Sequence, residues 1–125
     1  DDNPTLRSLL SRLIGQLQMW NNALDGDPYD FDVEQAESLK SMRTRLDDAG
    51  PKFVEKVHQI AADDSFGDTF VDAICQPPKV FTYGGMVAHV LTFAAHRRTL
   101  VVGAFDSAGV DVLGSGDPMD WVANA

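Results

Sequence analysis

The stretch TYGGMVAHVLTFAAHRRTLVVGAFDSAG, Thr82 to Gly109, decides the fold. It reads as one long amphipathic helix over about 83–108. Thr82 is placed to cap its first turn, and Gly109 to stop it in the left-handed conformation. Met86, His89, Val90, Phe93, His96, Arg97, Leu100 and Ala104 recur at steps of three and four, which predicts a single stripe. Two histidines and an arginine stand in that stripe among apolar groups. His89 and His96 are seven residues apart, two turns along one face, with Phe93 between them. An inward polar row in a bundle is either buried and satisfied or lines a pocket.

Outward from this helix, the chain reads as more helix. Asn3 caps and Pro4 opens a first one over about 4–24, with Leu6, Leu9, Leu10, Leu13, Leu17, Trp20 and Leu24 at helical spacing. Arg12, Gln16 and Trp20 share a row beside the leucines. DGDPYDFD, residues 25–32, is an acidic, turn-rich link. A second helix is expected over about 33–61, capped by Asp32 with Gln35 completing a capping box. Its row Ala36, Leu39, Met42, Leu46, Ala49, Phe53, Val57 and Ile60 stays in phase through Gly50-Pro51, which favours one kinked helix over a break at Gly50. Glu34, Glu37, Lys40, Arg43, Arg45, Asp47, Glu55 and Lys56 read as a solvated face without function.

Residues 63–80 read as a long connector in which Phe66, Phe70, Val71 and Ile74 suit a short docked helix. Pro77-Pro78 then forces an extended approach to the long helix. A long connection suits consecutive helices that run parallel. VDVLGSG, residues 110–116, reads as loop, and Asp117-Pro118 opens a last short helix over 118–123. No segment reads convincingly as a strand. The expectation from periodicity is one all-α domain over 1–125. Three substantial helices leave apolar surface open, which a helix preceding Asp1 or a second chain would close. The sequence begins Asp-Asp-Asn-Pro rather than with Met, which agrees with a preceding helix.

At 125 residues and 44% apolar, the chain is sized for one ordinary core. Its net charge of −9 repels phosphate backbones and anionic lipid, and Arg97-Arg98 with scattered lysines makes no basic patch, so neither nucleic acid nor membrane is an expected partner. A single cysteine, Cys75, excludes an internal disulfide and fits a reducing, cytoplasmic compartment. No apolar run reaches spanning length.

HVLTFAAHRR, His89 to Arg98, followed by GVDVLGSGDPMDW, Gly109 to Trp121, resembles the DinB-like family of four-helix bundles. That superfamily includes metal-dependent enzymes and transferases of low-molecular-weight thiols. PTLRSLLSRLIGQLQMW, Pro4 to Trp20, is similar to the family's second helix. The resemblance implies an all-α, up-down helical bundle whose first helix would precede Asp1 and whose long crossover would be the 63–80 connector. It also implies a three-histidine metal site, one ligand from the second helix and two, four apart, from the last long helix. Those positions fall here near Arg12 and on Phe93 and Arg97. Phenylalanine has no donor and arginine no free lone pair, so the resemblance implies a member that has lost the metal site.

A substitute site from His89, His96 and His58 is a weaker alternative, because a seven-residue spacing parts two helical ligands by about 10 Å. Hydrogen-bonded helix residues are the plainer account of all three histidines. Arg97 in an apolar stripe wants a carboxylate or a bound anion, and an acid on a neighbouring helix is the plainer partner. Trp20 reads as core, Cys75 as packing, and Gly84-Gly85 as a closely packed helix start.

Three functions compete. One is a bundle with an internal small-molecule pocket lined by Arg12, Gln16, Trp20, His89, Phe93, His96 and Arg97, taking an anionic ligand and no cofactor. Another is a thiol transferase or hydrolase dependent on zinc, nickel or iron. A third is a homodimeric structural protein using the open apolar face.

Overall fold

A computed structural model describes residues 3–111 and 117–124. The described chain is mostly helical: α1 Pro4–Asp25, a 3-10 turn Phe31–Glu34, α2 Leu39–Ala62, strands β1 Thr69–Asp72 and β2 Lys79–Thr82, α3 Tyr83–Ser107 and α4 Pro118–Ala123. Local chemistry sets the ends. The Leu6 amide donates to Asn3 Oδ1 at 3.0 Å, the Ser41 amide to Ser38 Oγ at 3.1 Å, and the Gly85 amide to Thr82 Oγ1 at 3.0 Å. Gly26 at φ 76° and Gly109 at φ 78° stand past the ends of α1 and α3 in the left-handed region. Residues 112–116 of the expected loop lie outside the described residues.

Three sequence expectations are corrected here. Helix α2 begins at Leu39, not near residue 33. Asp32 lies within the 3-10 turn, where it accepts from the Gln35 side chain at 2.7 Å, and Ala36 at φ 52° prevents the turn from running on into a helix. From Leu39 the helix passes through Pro51 to Ala62.

The 63–80 connector holds a β-hairpin in place of a short helix. Phe70 pairs with Phe81 and Val71 with Val80, antiparallel. Thr, Phe and Val in TFVD and KVFT are strand formers. Asp72 shapes the turn, its Oδ1 accepting the Ile74 amide at 3.0 Å.

The helix directions also differ from an up-down order. Ser11 meets Glu37, Asn21 donates to the Ala49 carbonyl, and Asp25 pairs with Lys56, so α1 and α2 run parallel. Trp20 meets His89, while Arg12 and Gln16 face Phe93 and Arg97, so α3 runs antiparallel to α1. The long return is therefore residues 26–38, which lie back along α1, and not residues 63–80.

The core gathers Trp20 and Ala23 of α1, Phe53 and Ile60 of α2, and Met86 and Val90 of α3. Side chains of this size contribute about 1.5–3 kcal/mol each when fully buried. Trp20 is the hub, with ring centroids 6.4 Å from Phe70, 6.3 Å from Phe81 and 5.5 Å from His89. The hairpin thus closes one end of the bundle over Trp20. Toward the other end, the leucine row of α1 is only half-buried, and Ser11, Gly15 and Gln16 are the residues of α1 that are buried. Among the described residues no helix is long and apolar enough to cross a membrane.

Candidate functional site

Two rows of side chains face each other between α1 and α3. On α1, Arg12, Gln16 and Trp20 repeat every four residues; on α3, His89, Phe93 and Arg97 do the same. Antiparallel packing sets the rows side by side. With Met19, and with Phe31 and Glu34 of the 3-10 turn, they line a groove of about 350 Å³. Six of the seven residues expected to line a pocket meet there. His96 does not: it is exposed on the outer side of α3. The packed row steps through 86, 90, 93, 97 and 101, and His96 is rotated about 100° from Arg97. Val101 is buried in place of Leu100. His89 is itself an exposed residue at the groove's edge, its ring against Trp20 and, at 5.5 Å, against Phe93.

The two arginines differ in their partners. Arg12 Nη1 lies 2.5 Å from Glu34 Oε1, an oxygen that also accepts the Tyr29 hydroxyl at 2.7 Å. Its guanidinium also sits 5.5 Å from the Phe31 ring centroid. Arg97 has no carboxylate within 4.0 Å among the described residues, which corrects the expectation of an acid on a neighbouring helix. It lies over the Phe93 ring at 4.9 Å, and its Nε is buried without a hydrogen-bond partner. Trp20 Nε1 and Gln16 Oε1 are likewise buried and unpartnered, although Gln16 is only 2% exposed. Leaving such groups unmade costs about 1–3 kcal/mol each, so unpaired groups along one groove ask for a partner.

The donor set does not fit a metal. Phe93, Arg12 and Arg97 supply no lone pair at the positions where the resemblance places three histidines. The alternative set is not assembled either: His58 and His96 are exposed, and no three His, Cys, Asp or Glu side chains group to hold an ion among the described residues.

Two features were not legible in the sequence. A pocket of about 510 Å³ opens beside the groove, sharing Met19, Trp20 and His89 with it and reaching under the hairpin to Ile74, Phe81 and Met86. Cys75 lies at its edge, and its Sγ donates to Asp72 Oδ2 at 3.1 Å. That hydrogen bond, with burial and the carboxylate's charge, raises the thiol pKa, so Cys75 is held as a donor and not primed as a nucleophile.

The second is a buried polar network on the opposite side of α1. Glu37, its side chain 2% exposed, accepts Ser11 Oγ at 2.5 Å and Ser41 Oγ at 2.7 Å, and Arg45 Nε lies 3.4 Å away. The charges read as a solvated face thus include three enclosed ones: Glu34, Glu37 and Arg45. Glu34 and Arg45 converge with Tyr29 on Gly15, where an added Cβ would fall 2.2 Å from Glu34 Oε1, 2.6 Å from Arg45 Nη2 and 2.8 Å from Tyr29 Oη. Gly15 among the leucines of a helix is the available signal in the sequence.

No family model, curated protein or solved structure matches the chain.

Proposed function

We propose that the protein is a small-molecule-binding helical bundle of the DinB-like kind whose metal site has been replaced by an anion-binding groove. The observation that supports it most is Arg97: a part-buried cation with no carboxylate within 4.0 Å among the described residues, stacked on Phe93 and lining one groove with Gln16 and Trp20. An arginine so placed presents fixed, planar donors to a carboxylate or similar anion. Glu34 lines the same groove, but its charge is matched by Arg12 and held by Tyr29. The net charge at the site is therefore that of Arg97.

Benzoate is a suitable first probe, because its ring can pack on Phe93 and Trp20 while its carboxylate meets Arg97. It is expected to raise the melting temperature of wild-type protein and to leave Arg97→Gln unchanged. Equal stabilisation of both proteins would remove the assignment. Metal analysis of protein purified without a histidine tag is expected to show no stoichiometric zinc, nickel or iron; one equivalent would favour the metal-dependent reading.

A dimeric role is the second reading. Leu39, Leu46 and Val54 of α2 are exposed, as is Leu91 of α3. Light scattering across a range of concentrations decides it, and a monomer throughout removes it.

A further inference from the structure

We infer that the groove and the neighbouring apolar pocket are two halves of one site, and that its ligand is an amphipathic monocarboxylate, an acid with an extended alkyl or aryl-alkyl body. This rests on the reading of Arg97 given above and adds the chemistry of the rest of the ligand.

Three observations carry it. The two cavities are neighbours: Met19, Trp20 and His89 line both. They differ in character. The groove holds Arg97, Arg12, Glu34 and Gln16, whereas the pocket is walled mainly by Met19, Trp20, Ile74, Val80, Phe81 and Met86. Polarity then runs one way along the pair. Arg97, with its buried and unpartnered Nε, stands at one end. Asp72 lines the other, buried, its carboxylate engaged by the Cys75 thiol and the Ile74 amide. An anionic head is attracted to the first end and repelled from the second, so only one orientation is favoured. The unpartnered Trp20 Nε1 lies where the halves meet.

Size points the same way. Residues 89 and 97 are separated by about 12 Å of helix axis, so a ligand touching both Arg97 and the hairpin pocket is elongated. An acid held at Arg97 alone leaves the 510 Å³ pocket and its apolar wall in water. Covering that wall is the favourable term an alkyl chain adds.

The test is calorimetric titration of the intact chain with decanoate, decanol, acetate and benzoate. Decanoate is expected to bind one site, with decanol and acetate each weaker by about tenfold or more. Arg97→Gln is expected to weaken decanoate by about tenfold to a hundredfold and to leave decanol unchanged, and Arg97→Lys to retain part of the affinity. Val80→Trp, at an exposed pocket position in a strand that favours aromatic residues, is expected to weaken decanoate and spare benzoate. Thermal melts of each variant confirm folding. If benzoate or acetate binds as tightly as decanoate, or Val80→Trp changes nothing, the two-part site is overturned while the Arg97 groove stands. If decanol matches decanoate, the acidic head is wrong. If no acid binds, the underlying reading fails as well.

Discussion

Helix α1 carries charge on two sides and handles it differently on each. Toward α2 and the return segment 26–38, every enclosed charge has an opposite one near: Arg45 beside Glu37, and Arg12 against Glu34 with the Tyr29 hydroxyl on the same oxygen. On α3, Arg97 has an aromatic ring against it and no carboxylate within 4.0 Å among the described residues. Balanced enclosed charges fix how two elements dock. Unpartnered polar atoms stand on both sides, the Arg45 nitrogens on one and Gln16 and Trp20 atoms on the other; what a ligand's anion can answer is a charge left without an acid among the described residues. The contrast assigns structure to one side and binding to the other, and substitutions on the two sides should fail differently.

The largest effect is expected from Glu37→Ala. It removes the acceptor of Ser11 and Ser41 and leaves Arg45 enclosed without its counter-charge. Breaking a buried pair from one side costs about 3–5 kcal/mol, a large part of the stability of a domain this size. Urea unfolding followed by circular dichroism should show most of the stability lost; a change below about 1 kcal/mol would mean that the network is not what joins α1 to α2. Gly15→Ala comes next. Helix propensity alone predicts a gain of about 1 kcal/mol. The new methyl would instead displace Glu34, Arg45 and Tyr29 together, so a net loss of about 1–3 kcal/mol is expected. A stabilised variant would show that these side chains yield easily.

Tyr29→Phe is a smaller change with a distinctive pH dependence. Burial first, then the hydrogen bond to Glu34, raises the phenol's pKa well above its ordinary value, against weaker opposite pulls from Arg45 and Arg12. The folded chain therefore keeps this proton where the unfolded chain has released it. The stabilisation is whole below about pH 10, the unfolded value, and is lost as pH climbs through the higher folded value. Wild-type stability should fall on the alkaline side, and Tyr29→Phe should fall less steeply after a loss of about 1 kcal/mol at neutral pH. Parallel curves would place the alkaline loss elsewhere.

Much of the scaffold and part of the groove could be read from the residues. Asn3, Thr82 and Gly109 mark helix ends by local chemistry. The repeats Arg12-Gln16-Trp20 and His89-Phe93-Arg97 show shared faces without reference to any other element. What failed depended on distant partners. Glu37 and Arg45 have spacings equally suited to a solvated face; only α1 lying against them, with Gly15 admitting them, makes them interior. The strands Thr69–Asp72 and Lys79–Thr82 are too short to show period-two alternation, and they pair only because the other is present. The left-handed Ala36, which moves the start of α2 to Leu39, has no side-chain signature at all. His96 shares the heptad phase of His89, which is already at the groove's edge, and the further turn of about 20° carries it to the outer side.

The smallest expected effect on stability tests the contrast most sharply. Arg97→Gln breaks no ion pair among the described residues and forfeits its contact with Phe93, worth about 0.5–1 kcal/mol at a part-exposed site. It also relieves an enclosed Nε that has no partner, an opposing term of similar size. The two nearly cancel, so unfolding in urea should change by no more than about 0.5 kcal/mol. Carboxylate binding by the same variant should nevertheless weaken by about tenfold or more. A residue whose removal costs the fold little and weakens binding of the acid head is held in place for the guest. If Arg97→Gln instead loses several kcal/mol, Arg97 has a structural partner in solution, and the two sides of α1 obey the same rule.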